Sequence, residues 1–95
     1  MVYVSISKTT IFYKGVFYMT SMLVKFEKPN QVVDFVNTIS RYDYDADIRY
    51  GSRMVDAKSI LGVIYLAVSH TVELILHTEE ANCRDLQRRI AKFTV

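Results

Sequence analysis

Residues 55–68 read VDAKSILGVIYLAV, a short polar turn that runs directly into an apolar segment. Ser59 stands immediately before Ile60-Leu61-Gly62-Val63-Ile64-Tyr65-Leu66. A serine in that place signals a helix start, because its hydroxyl accepts a hydrogen bond from a backbone N–H that the first turn leaves without a partner. The same position suits a phosphate, since those N–H groups and the positive end of the helix dipole favour negative charge. Ser59 therefore carries two readings, a structural cap and a modified serine.

The chain on either side supplies the remaining elements. Downstream, Ser69-His70-Thr71 ends the short helix, and residues 72–77 (VELILH) read as a strand apolar enough to be central. Upstream, residues 46–50 and 53–56 read as two strands joined by a hairpin turn at Gly51-Ser52. Residues 21–26 (SMLVKF) read as the first strand. Pro29 then suits the first position of a helix, where its missing N–H costs nothing. That helix presents Val32, Phe35, Val36 and Ile39 on one face, leaves Asp34, Asn37 and Ser40 to solvent, and ends before Tyr42-Asp43-Tyr44-Asp45. A last helix places Cys83, Leu86, Ile90 and Phe93 on one face, with Arg84, Gln87, Arg88 and Lys92 opposite. Thr78 or Asn82 is expected to cap it, and Glu79, Glu80 and Asp85 lie near its positive end.

The order β-α-β-β-α-β-α, with two amphipathic helices that need an apolar sheet face to cover, predicts a two-layer α+β sandwich. The segment Asp56-Ala57-Lys58-Ser59-Ile60-Leu61-Gly62-Val63 resembles the regulatory-serine segment of HPr, the histidine phosphocarrier of the bacterial sugar phosphotransferase system. The element order is similar too. The resemblance implies an open-faced sandwich in which a four-stranded antiparallel sheet carries three helices on one face. It covers about residues 19–93 and is strongest over 51–67.

Composition sets the outer limits. Ninety-five residues make one domain, with half of them apolar and an ordinary share of charge. The longest apolar run, residues 60–68, is too short for a membrane span. Of the formal charge of +2, Lys8 and Lys14 supply all the excess, so residues 19–95 are balanced and nucleic acid is not an expected partner. A single cysteine, Cys83, fits a reducing compartment such as the cytoplasm, and its place on the apolar helix face favours packing over reactivity.

The phosphocarrier chemistry implied by the resemblance requires a histidine between the first strand and first helix, followed shortly by an arginine and a proline. This chain has Glu27-Lys28-Pro29-Asn30-Gln31 there, without histidine or arginine. Its histidines, His70 and His77, lie before and at the end of the last strand and match no family position. Lys28 before a proline reads as a solvated lysine. Asp43, Asp45 and Asp47 alternate, but without a glycine turn and a distal Glu they read as a solvated strand edge rather than a cation site. No phosphate loop, Cys-x-x-Cys pair or nucleophile elbow is present, so neither an enzyme nor a cofactor or metal is expected.

The resemblance therefore implies a member without histidine phosphotransfer that keeps the serine-centred surface, as the catabolite-repression HPr-like proteins do. Their serine is modified by an HPr kinase/phosphorylase, and the product binds a regulator of sugar use. By position, Ser59 would be the acceptor. Lys58, Ile60, Leu61, Val63 and Ile64 would form the partner-facing surface, some of them packing instead on the sheet. Gly62 would permit close approach of the sheet or of a partner. The relatives generally keep the arginine that is missing here, which weakens the case for the same regulator. The other reading is an unmodified interaction module in which Ser59 only caps its helix, with sheet edges and the apolar helix supporting a homodimer.

Residues 1–18, MVYVSISKTTIFYKGVFY, contain no acidic residue and are read apart from the domain at 19–95. They fit an extra edge strand better than a secretory signal, because no small-residue cleavage site follows a sustained apolar core. They also fit upstream sequence that is not natively translated, since Lys14-Gly15-Val16-Phe17-Tyr18 can be encoded with a purine-rich ribosome-binding sequence, at Lys14-Gly15, a short distance upstream of the Met19 codon. In that case the native chain starts at Met19. Mass spectrometry of the protein from cells is expected to find an N-terminus at Met19 or just after it; a peptide running from Lys14 through Lys25 overturns this.

Overall fold

A computed structural model describes residues 9–12 and 17–95. Strands β1 (Thr9–Phe12), β2 (Phe17–Lys25), β3 (Ala46–Tyr50), β4 (Arg53–Asp56) and β5 (Thr71–Leu76) form one antiparallel sheet in the order β1-β2-β5-β3-β4. Helices α1 (Pro29–Ile39), α2 (Ile60–Ala67) and α3 (Arg84–Arg89) cover one face of it. The four expected strands are β2, β3, β4 and β5, and β1 extends the sheet by one from within the N-terminal segment. The rest of that segment, residues 1–8 and 13–16, lies outside the described residues.

Alternation along the strands explains the two layers. Met22 and Val24 on β2, Ile48 on β3, and Val72, Leu74 and Leu76 on β5 are buried beneath the helices. Their neighbours Leu23, Lys25, Arg49 and Thr71 stay exposed on the other face, where Arg49 pairs with Glu73 and His77 Nε2 lies 2.7 Å from Asp47 Oδ2. Asp47 thus sits on an interior strand, not on the solvated edge that the alternating aspartates suggest. The far end of β2 reaches beyond β1, and there the C-terminal segment takes β1's place. Thr94 bridges Val24, and the Val95 N–H donates to the Leu23 carbonyl at 3.0 Å.

Local chemistry sets the turns and helix ends. Gly51 has a φ of +62° while Ser52 stays at negative φ, the type II′ pattern that matches the twist of a tight hairpin. Pro29 opens α1 as expected. Gln31 reaches back so that its Oε1 accepts from the backbone N–H of Glu27 at 2.7 Å and of Lys28 at 3.2 Å. Val32, Phe35, Val36 and Ile39 of α1 are all core.

Two expectations are corrected. The first strand of the domain begins earlier than residue 21, and Phe26 contributes only an isolated bridge to Val68. The last helix is broken into 3-10 turns at Glu80–Asn82 and Ala91–Phe93 on either side of α3. Neither Thr78 nor Asn82 caps it. Asn82 Nδ2 donates to Thr78 Oγ1 at 3.3 Å, the Thr78 carbonyl accepts from buried Thr20, and Cys83 holds the cap position without a side-chain capping bond, its Sγ donating instead to the Glu80 carbonyl at 3.5 Å. The apolar face of this segment is still as expected, with Cys83, Leu86, Ile90 and Phe93 all buried.

Phe26, Phe35 and Phe93 join the end of β2, α1 and the C-terminal turn in one aromatic cluster. Their ring centroids lie 4.9 Å apart for Phe26–Phe35, 5.3 Å for Phe26–Phe93 and 5.9 Å for Phe35–Phe93. Phe35 is fully buried at the centre of the cluster. Phe35→Ala is expected to cost about 3–5 kcal/mol of unfolding free energy in urea titration; a loss near 1 kcal/mol would mean that the cluster does not hold these elements together.

Candidate functional site

The loop from β4 into α2 is held before the helix begins. Ala57 is fully buried, and its N–H donates to the Ala46 carbonyl at 2.9 Å, which ties the loop to β3. Asp56 Oδ1 accepts from the Lys58 N–H at 2.9 Å, and the Asp56 carbonyl accepts from the Ser59 N–H at 3.0 Å. The turn delivers Ser59 in extended backbone conformation, φ −102° and ψ 109°, to the start of α2. There its Oγ accepts from the Gly62 N–H at 3.3 Å and its carbonyl from the Val63 N–H at 2.9 Å. Ser59 is the helix cap expected from its sequence position, and it is exposed.

Charge around Ser59 is sparse. The first turn of α2 holds no acidic residue. Lys58, half-buried, turns its Nζ to the Tyr42 carbonyl at 2.7 Å, joining the α2 start to the loop after α1. The Tyr42 hydroxyl donates to Asp85 on α3, and Asp85 also accepts from Arg88 and Arg89. The Tyr42 hydroxyl first, then Arg89, holds the Asp85 carboxyl below its ordinary range. Stability from this depression is present above the unfolded carboxyl pKa and is lost as pH falls through the lower folded value.

The apolar residues of α2 divide between two environments. Val63 is fully buried, with Leu66 and Ala67, so it belongs to the core and not to a partner-facing surface. Ile60 and Ile64 are half-buried against the same core. Leu61 is 81% exposed and Tyr65, one turn on, 73%. Tyr65 is a surface residue that the apolar run concealed, although its spacing from Leu61 places both on one helix face. Gly62 admits the sheet below: a Cβ there would stand 3.4 Å from Val55 Cβ and 3.3 Å from Ser59 Oγ.

The other candidates fall elsewhere. At the β2–α1 junction, Pro29 brings no N–H, the Gln31 N–H is bonded to the Lys28 carbonyl at 3.0 Å, and the Gln31 side chain occupies the Glu27 and Lys28 amides. His70 stacks on Tyr50, and His77 pairs with Asp47. Cys83 is buried, and burial is the main cause that pushes its thiol up. Among the described residues no group of His, Cys, Asp and Glu could hold a metal ion, and no helix is long and apolar enough to cross a membrane.

Residues 31–94 match the family model described as "PTS HPr component phosphorylation site". The chain belongs to the HPr family. Two solved HPr structures share its fold. HPr-C-His from Thermoanaerobacter tengcongensis is 22% identical with a TM-score of 0.59, over 76% of this chain and 88% of that one. The phosphocarrier protein HPr from Bacillus anthracis str. Ames is 19% identical with a TM-score of 0.60, over 81% of this chain and 98% of that one. The HPr match opens at Gln31, just past the junction where family resemblance places the phosphocarrier histidine.

The cap makes a measurable claim. Ser59→Ala is expected to lower stability by about 1 kcal/mol, and Ser59→Asp by less, because aspartate also caps and carries the charge favoured at a helix start. Urea unfolding of the two variants tests this, and an unchanged stability in Ser59→Ala would remove the hydroxyl's capping role.

Proposed function

We propose that this protein is a non-catalytic, HPr-like regulator of sugar or carbon metabolism, without histidine phosphotransfer, and that an HPr kinase/phosphorylase phosphorylates Ser59. The observation that carries this reading is the exposed Ser59 hydroxyl at the start of α2, on a turn held by buried Ala57. A phosphate there would meet the first-turn N–H groups and the positive end of the helix; the first turn of α2 holds no carboxylate, and the Asp56 carboxylate before it is bonded to the Lys58 amide. HPr proteins are carriers rather than enzymes, and this reading keeps that character while moving the phosphate from histidine to serine.

The absence of a histidine carrier role is supported by the junction itself. Glu27, Lys28, Pro29 and Asn30 offer no imidazole, and the nearby amides are engaged by Gln31. On this reading the protein works in the cytoplasm beside its kinase. Phosphorylated Ser59 together with Lys58, Ile60, Leu61 and Ile64 would face a regulatory protein, with Leu61 as the apolar contact.

A second reading rests on the Gly62 N–H to Ser59 Oγ bond. That bond alone accounts for a serine at this position, and the protein would then be an unmodified interaction module, with a homodimer as one form. Intact mass after incubation with ATP and the HPr kinase/phosphorylase of its own source separates the two. The expected result is a single added phosphate on the parent and none on Ser59→Ala. No phosphate on either, with HPr from the same cell modified in parallel, leaves the serine as a cap.

A further inference from the structure

At the end of α2 away from Ser59, the β3–β4 hairpin and the last helical turn border a cleft of about 310 Å3, lined by Tyr50, Gly51, Arg53, Tyr65, Leu66 and His70. Its walls are two cross-strand neighbours and their partners. Tyr50 and Arg53 pair across the hairpin. The Tyr50 ring stacks on His70 with centroids 4.5 Å apart and an interplanar angle of 23°. Arg53 Nη1 donates to the Tyr65 hydroxyl at 3.0 Å.

The position of His70 is set by an unusual turn. Ser69, just before it, has a φ of +69°, the left-handed region that non-glycine residues rarely adopt. The Ser69 N–H donates to the Phe26 carbonyl at 2.8 Å, and the His70 N–H to the Ala67 carbonyl at 3.0 Å. The turn thus holds the imidazole against Tyr50 from a fixed backbone.

No carboxylate lines the cleft. The acids on β3, β4 and β5 are engaged elsewhere: Asp56 accepts from the Lys58 amide, while Asp47 and Glu73 pair with His77 and Arg49 on the opposite face of the sheet. Among the described residues Arg53 bonds to the Tyr65 hydroxyl and to no carboxylate, and its guanidinium lies over the same ring, 5.8 Å from the centroid. A guanidinium has five N–H donors in a fork that matches a carboxylate, so most of its capacity remains for an incoming anion.

We propose that this cleft is a docking site for an acidic segment of a partner protein, with a carboxylate on Arg53 and an apolar side chain between the Tyr50 and Tyr65 rings. Charge complementarity selects the acidic partner. The openness of the cleft selects a polypeptide, because a small ligand would leave much of its surface in water whereas a chain continues past the rim. Tyrosine and arginine are also the side chains that most often anchor protein interfaces. The site is separate from Ser59: six residues of helix rise place Tyr65 about 9 Å farther along α2.

The test uses the unphosphorylated full chain, 15N-labelled, titrated with the acetylated peptide EELEEFEE and with a control in which every Glu is Gln. Amide shifts are expected to concentrate at residues 50–53 and 65–70, with binding tighter than about 1 mM and at least about tenfold weaker for the control. Arg53→Glu is expected to abolish the shifts. Arg53→Gln, which retains a donor for Tyr65, should weaken them, and Leu23→Ala on the opposite sheet face should not alter them. No shifts at millimolar peptide, shifts centred elsewhere, equal binding of the Gln control, or full binding by both Arg53 variants would each overturn the proposal.

Discussion

The inner face of β5 is the constraint on which the rest of the fold depends. Val72, Leu74 and Leu76 are all but fully buried, and the strand carrying them lies between β2 and β3. Burial of this stripe requires both flanking strands to present apolar partners in register, and Met22, Val24, Ala46 and Ile48 do so. The face so formed needs a second layer. Helix α1, the buried side of α2 and the C-terminal helical segment supply it, and the Phe26–Phe35–Phe93 cluster closes it at one end.

That arrangement explains why the two ends of α2 present such different surfaces. Val63, Leu66 and Ala67 fix one side of the helix on the core, so its remaining side and its termini must face outward. At the N-terminal end the anchoring of Ala57 and the Asp56 turn displays a hydroxyl among helix-start amides. At the C-terminal end the strained Ser69 turn and the hairpin display aromatic and basic groups. The helix is short enough that neither surface is far from the sheet, yet the chemistry at the two ends does not overlap.

How much of this was legible depended on how far each interaction reaches along the chain. The Ser59 cap, the Pro29 helix start and the Gly51 turn involve residues within a few positions of one another, and all three follow from sequence spacing. The cap of the last helix does not: the Asn82 side chain takes the Thr78 hydroxyl, while the Thr78 carbonyl accepts from Thr20 on a distant strand. Helix α2 is apolar on nearly every side, so periodicity cannot separate buried Val63 from exposed Leu61 and Tyr65; only the sheet beneath decides that. The family resemblance directed attention to Ser59 and its neighbours, whereas the cleft at Tyr50, Arg53 and His70 joins three separate segments and leaves no local pattern.

The central strand is also the last one in the chain. β2 and β3 have no hydrogen bonds to one another, and both wait for β5 to fill the gap between them. Before β5 is made, β3 and β4 pair with each other but share no sheet with β2. The sheet closes only when β5 enters between β2 and β3, which makes its completion a step of long sequence separation.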